Sequence, residues 1–312
     1  MKSTIILILF GLFLAGCNDS GDESSNSLTD VNKSYQTGQV ISYIPYDDGY
    51  YRAGVIRNYI KSNNSVKELI KGMEWEDDTA ILENSFTNEE ALMYCYNLDL
   101  NGYNDWRLPT LEEFYELIDY GTADPALSSN FTNTTTGYFW TQTPCPVCEA
   151  KSFAISEANG VFYSFENTNS FHTMCVRGYK SPIKSYERDD SLNVVIDQNK
   201  KLMWQDGNSE EMKQEDNFAD AVNYCESLEY AGFDDWRLPN IIELRSTLDF
   251  SGIGNDGLLN VAFQERLINS WSATTDSKDS TQAWNVEYYL GTSSEVGKEK
   301  FTQKRCVRSI DE

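Results

Sequence analysis

Histidine is nearly absent from this chain: His172 is the only one in 312 residues. One imidazole leaves hydrolytic triads and histidine-rich metal centres little to build on. Basic residues are scarce as well, with 25 Lys+Arg against 49 Asp+Glu and a formal charge of −24. Such a surface repels polyanions, nucleic acid and anionic lipid. The chain has a single CxxC, Cys145-Pro146-Val147-Cys148, with no second one to complete a four-cysteine zinc site. Beyond Leu14 no apolar run approaches the ~18 residues of a spanning helix.

What is abundant is self-similarity. Asp105-Trp106-Arg107-Leu108-Pro109 recurs as Asp235-Trp236-Arg237-Leu238-Pro239. Trp75 matches Trp204, Cys95 matches Cys225, Trp140 matches Trp271, and Cys175-Val176-Arg177 matches Cys306-Val307-Arg308, at offsets of 129 to 131 residues. That period exceeds a solenoid repeat and has the size of a domain. The chain is a tandem duplication. Function belongs to the common unit or to what differs between the copies.

Lys2, the apolar run Ile5 to Leu14 and Leu14-Ala15-Gly16-Cys17 form a short charged segment, a brief hydrophobic stretch and small residues before a cysteine. This predicts a bacterial lipoprotein signal over residues 1–16, with Cys17 lipidated. Membrane attachment then runs through lipid. Residues 17–34 are rich in Ser, Asn and Asp and predict a disordered tether. The absence of Asp at position 18 favours the outer membrane in a two-membrane host. Cleavage would remove Lys2 and leave 24 − 49 = −25.

Six cysteines remain for an oxidising compartment. Each copy has one in a predicted helix (Cys95, Cys225) and one in its last strand (Cys175, Cys306). The simplest pairing is Cys95–Cys175 and Cys225–Cys306. Each bridge would close about 80 residues, worth roughly 4 kcal/mol in the chain-entropy picture. Cys145 and Cys148 have no counterpart in the second copy and follow a strand-like segment, so a local disulfide is favoured over redox or metal work. His172 reads as a loop residue.

The unit is predicted to run from strands through two helices into more strands. Thr87 and Thr110 open capping boxes with Glu90 and Glu113; Asn217 and Asn240 do the same with Asp220 and Glu243. Asn101-Gly102 and Ala231-Gly232 end the first helices. Strand-like alternation follows, with a tight hairpin at Asn159-Gly160. The fold class is therefore α+β, with two helices and an antiparallel sheet in each copy. Domain 1 is placed at 35–180 and domain 2 at 186–312, with a linker over Gly178 to Asp190. At about 130 residues, each copy is expected to bury its own core.

Ala91-x-x-Tyr94-Cys95, Asp105-Trp106-Arg107-Leu108-Pro109-Thr110, Trp140 and Cys175-Val176-Arg177 together resemble the Lcl C-terminal domain family. The likeness covers nearly the whole mature chain, twice. It implies two tandem C-type-lectin-like domains with formylglycine-generating-enzyme-like relatives. It also implies a helix-to-strand disulfide and residence in the bacterial cell envelope. The family's namesake is a collagen-like adhesin that binds sulfated polysaccharides. Sulfated glycans demand a Lys/Arg patch, which this charge balance opposes. The Glu-Pro-Asn-type triplet of calcium-dependent lectins is absent.

In the repeated motif, Arg107 is expected to pair with Glu112 or Glu113 and Arg237 with Glu243, while Trp106 and Trp236 fill the core beside the disulfides. These residues read as scaffold. Asp77-Asp78, Asp234-Asp235 and Asn255-Asp256 offer oxygen ligands for calcium, but none has EF-hand spacing and a solvated acidic face is the simpler reading. No cofactor is expected, calcium being the alternative. No carboxylate pair stands out for hydrolysis. Tyr138, Tyr163, Tyr288 and Tyr289, outside the repeated landmarks, are candidates for ring stacking. The sequence thus points to a non-catalytic envelope lipoprotein that recognises a glycan or a protein, with adhesion as one use. The competing class is an assembly component without a ligand pocket, and an enzyme ranks third. The ligand-binding residues are not legible.

Overall fold

The computed structural model describes residues 31–207, 210–251 and 257–310. Cys17, the signal segment and Asn255-Asp256 lie outside these residues. α1 (Asp48–Tyr51) precedes the repeat, and the first copy contains β1 (Tyr59–Lys61), β2 (Ser65–Glu68), β3 (Glu74–Glu76), α2 (Ala80–Glu83), α3 (Asn88–Asn97), α4 (Leu111–Leu117), β4 (Tyr138–Pro144), β5 (Lys151–Ser156), β6 (Phe162–Glu166) and β7 (Val176–Arg177). The second contains β8 (Tyr186–Asp189), β9 (Val194–Asp197), β10 (Leu202–Gln205), α5 (Glu210–Lys213), α6 (Phe218–Glu226), α7 (Ile241–Ser246), β11 (Asn269–Thr275), β12 (Gln282–Glu287), β13 (Thr292–Gly297) and β14 (Val307–Ser309). The class is α+β with antiparallel sheets. None of the described helices is long and apolar enough to cross a membrane.

The helix starts follow the capping chemistry. Thr87 and Thr110 accept from the Glu90 and Glu113 amides, and those carboxylates accept from the cap backbones in return. Asn240 and Glu243 repeat the arrangement, while Asn217 caps α6 through the Asp220 amide. The Asn159-Gly160 turn joins β5 to β6, with Gly160 at φ 84, in the left-handed region that favours glycine.

The expectation of two independent cores needs correcting. Each copy does have its own small sheet, ordered β1-β2-β3-β7 and β8-β9-β10-β14. The remaining strands form one six-stranded sheet, β11-β12-β13-β6-β5-β4, that runs through both copies. Its order is palindromic in the repeat, and its central contact pairs Ser293 with Phe162, two equivalent positions. Equivalent edges therefore meet antiparallel, as in an isologous dimer interface. Pairing removes an exposed strand edge from each copy. The largest apolar cluster likewise takes Trp75, Phe114 and Phe153 from one copy and Trp204, Phe263 and Trp284 from the other. Two smaller clusters, one per copy, surround Cys95–Cys175 with Trp106 and Cys225–Cys306 with Trp236. Cys145 and Cys148 close a local bridge after β4.

At the seam, Arg245 of α7 is fully buried. It donates to Gly160 O at 3.0 Å, Ser293 Oγ and the Tyr120 hydroxyl. Its guanidinium lies 4.8–5.8 Å from the rings of Phe162, Tyr120, Trp284 and Tyr115. Tyr115 is the first-copy equivalent of Arg245, so the two occupy matching places at the junction. Nearby, buried Glu116 accepts from Lys71 of its own copy and Lys200 of the other.

The ordered structure overlaps the expected linker and tether. Tyr186–Asp189, where the linker reading and the second domain at 186–312 overlap, is β8, paired along β9. Upstream, Ser34 is buried and Asn32 accepts from the Tyr179 hydroxyl, so packing begins inside the expected tether. Beyond the two helices expected per copy, the described residues hold three more short ones: α2 and α5, each after its copy's WxD segment, and α1 ahead of the repeat.

Candidate functional site

The Trp-Arg-Leu-Pro segments are structural in both copies. Arg107 makes a bidentate pair with Glu113 at 2.6 and 2.7 Å, and Arg237 does the same with Glu243. The planar fork fits the carboxylate that already caps the helix, so one Glu fixes both the cap and the arginine. Trp106 and Trp236 donate to the carbonyls of Leu100 and Tyr230 across the preceding turn. Arg177 and Arg308 bond Asp105 and Asp235 and cover the rings of Tyr103 and Phe233.

The acidic loops are occupied by protein donors. Asp77 is buried and accepts from Lys61 Nζ and from the amides of Thr132 and Asn133. Its repeat partner Asp206 accepts from Arg188, Arg305 and the amides of Gln264 and Glu265. These aspartates pin the loops before β4 and β11 to the cation of a neighbouring strand, Lys61 of β1 or Arg188 of β8. Asp78 caps the Ala80 amide. Among the described residues, no group of three or more His, Cys, Asp or Glu is placed to hold a metal ion. His172 lies beside the Phe139 ring with Nδ1 near the Ile81 and Asn84 carbonyls.

Three other carboxyls are held away from water. Burial pushes Asp48 up to about 6, Glu76 to about 7 and Glu157 to about 8. Glu116 goes the other way, down to about 2, because Lys200 and Lys71 outweigh its own burial. A raised carboxyl binds its proton more tightly in the folded state. Its contribution is whole below the unfolded value near 4 and is lost as pH climbs through 6 to 8. Glu116 contributes the opposite slope, lost only as pH falls from about 4.5 toward 2. Thermal stability is therefore expected to peak near pH 4 and to drop by several kcal/mol toward pH 8.5. Thermal melts across pH 3–9 check this. The Glu76 carboxylate accepts from the Tyr94 hydroxyl and the Cys175 amide, and the second copy has Gln205 bonded to Tyr224 in the same place. Glu76→Gln is thus expected to raise stability at pH 8 and flatten the slope.

The copies differ most on one surface. In the first copy the Phe86 and Tyr94 rings stack 4.9 Å apart. Phe86 bridges Phe171, whose ring contacts Phe165, Tyr138 and Trp140 at 4.8–5.5 Å. Tyr163 continues the row beside Phe165. Phe86, Tyr94, Tyr138, Phe165 and Phe171 are half-buried and Tyr163 is exposed. The second copy has Asp216, Tyr224, Asn269, Val296, Thr302 and Ser294 at these positions. Since the second copy folds without the extra rings, the unit does not need them. Beside the stack, Phe86, Glu90, Met93, Tyr94, Asn97, Leu98 and Asp99 line an open depression of about 450 Å³.

Of the expected stacking residues, the structure brings Tyr138 and Tyr163 into this row. Tyr289 is exposed elsewhere. Tyr288 requires correction: it is buried in the shared core. Trp284, Val286 and Tyr288 fall on alternate positions and face inward, which turns Tyr289 outward. The phenylalanines were not legible singly, although aligning the two copies exposes Phe86 and Phe171 as aromatic-for-polar exchanges and Phe165 as aromatic for valine.

The fold and its two repeated helix-to-strand bridges define a tandem α+β repeat protein of the disulfide-stapled kind. The chain belongs to the Lcl C-terminal domain family, which matches residues 64–177 and 193–308. No curated protein matches it.

Proposed function

We propose that this is a non-catalytic binding protein whose first copy recognises a carbohydrate through the row Tyr163, Phe165, Tyr138 and Phe171 and the adjoining depression. The observation that carries the reading is that these rings are additions to a scaffold that folds without them. Aromatic faces stack on the apolar faces of sugar rings, and Glu90, Asn97 and Asp99 supply hydrogen-bonding groups beside them. The acidic surface directs the choice to neutral rather than sulfated glycans. A C-type-lectin-like ancestry of the unit, lipid anchoring at Cys17 on the bacterial envelope and a use in adhesion are parts of the same reading, supported by the sequence patterns alone.

The test is a glycan array probed with the chain from Asn18 onward, with and without calcium. Binding to neutral glycans is expected. Tyr138→Asn with Tyr163→Ser, which imports the second copy's residues, should weaken it roughly tenfold, from about 0.5–1.5 kcal/mol per ring. Silence across neutral, acidic and sulfated sugars would overturn the proposal.

A further inference from the structure

Residues 36–53 precede the first copy in sequence but lie on the second. Tyr35 bridges Val55, so this strap leaves and returns at one place. Gln39 accepts from the Thr275 amide at 2.7 Å, Asp48 accepts from Thr274 Oγ1 at 2.7 Å, and Asn240 donates to Ala53 O. Tyr51 donates to Glu226 on α6. Ile44 and Tyr46 pack on the cluster that holds Val222 and Ala273. Beneath the strap Val222, Ala273 and Thr274 are all at most 1% exposed.

Among the described residues, nothing covers the same face of the first copy. The correspondence is fixed by shared hydrogen bonds: Leu111 N to Thr143 Oγ1 repeats as Ile241 N to Thr274 Oγ1, and Gln142 N to Pro109 O repeats as Ala273 N to Pro239 O. Leu92, equivalent to Val222, is 40% exposed, and Tyr96, equivalent to Glu226, is 75% exposed. Gln142 and Pro144 are exposed and Thr143 is half-buried, where Ala273, Thr275 and Thr274 are buried. At roughly 100° per residue, Leu92 and Tyr96 lie on the flank of α3 opposite Tyr94 and Leu98, so this face is separate from the aromatic row. The reason for the asymmetry is length. Residues 178–185 between the copies are too few to form a second strap.

We infer that this face of the first copy docks an acidic, tyrosine-bearing segment of another protein, laid down as the strap is on the second copy. The chemistry follows from the exchanges. Thr143 repeats the hydroxyl that Thr274 gives to Asp48, beside the repeated Arg–Glu pair. Tyr96 stands in place of Glu226, so the helix now offers a hydroxyl and the occupant supplies the carboxylate. Leu92 keeps the apolar contact. A second copy of this chain is a poor source, because each chain has one strap and its own second copy already needs it. The inference is independent of the carbohydrate reading.

The probe is a synthetic peptide of residues 36–53 with Tyr51→Glu, which supplies the carboxylate opposite Tyr96, and a photo-reactive group at Tyr43, titrated into the full chain. We expect saturable binding, with Kd on the order of 10–100 μM, and cross-links mapping to residues 88–97. Leu92→Glu and Tyr96→Glu should each weaken it at least tenfold, Asp48→Asn in the peptide should weaken it several-fold, and Tyr138→Asn with Tyr163→Ser should leave it unchanged. Absence of binding at 1 mM overturns the inference. So do cross-links to residues 218–226 or affinity indifferent to Leu92 and Tyr96, since either means exchange with the resident strap.

Discussion

Arg245→Ala is expected to destabilise the protein by about 3–5 kcal/mol. The change strands the Gly160 carbonyl and the Ser293 hydroxyl, at about 1–3 kcal/mol each. It also removes contacts with four rings and leaves a cavity between the copies. Part of that loss is returned, because burial opposes the charge and holds the guanidinium below its ordinary value. Arg245→Met, which keeps the volume and drops the charge, should therefore cost less than half as much. Urea denaturation followed by fluorescence measures both. Because sheet and core cross the seam, the wild type should unfold in one transition, and a loss below 1 kcal/mol for the alanine variant would show that Arg245 does not hold the copies together.

The second large effect concerns the long disulfides. Cys225→Ser with Cys306→Ser opens a bridge of sequence separation 81, and Cys95→Ser with Cys175→Ser one of 80. Loop-closure entropy assigns each roughly 4 kcal/mol. Cys145→Ser with Cys148→Ser opens a separation of only 3 and should cost about half that or less. Melting temperatures of the three paired variants, under non-reducing conditions, give the ranking. A short bridge that outweighs a long one would contradict it.

The parts legible in the sequence are those whose cause is local or repeated. Thr87, Thr110, Asn217 and Asn240 bond groups three residues away, so a cap can be read from a short window. Arg107 and Glu113 are six residues apart across a helix start, and the six cysteines divide by the repeat. Asp77 stood out as an acid but not as a loop pin, and its repeat partner Asp206 did not stand out at all. Their partners, Thr132 and Gln264, lie more than fifty residues downstream, and nothing near the aspartates announces them. The alternation that buries Tyr288 was readable in principle, but only once Trp284 was known to face inward.

The sequence by itself determined that a domain-sized unit occurs twice, where its helices begin, and which sulfur atoms each unit brings together. Tertiary structure alone decided that the units share a sheet and a core, that the strap before the first unit covers the second, and that no described residue lies as a strap on the first unit. The reason is that a repeat specifies like environments, whereas the meeting of equivalent edges and the reach of a connecting segment depend on how two folded bodies are placed in space.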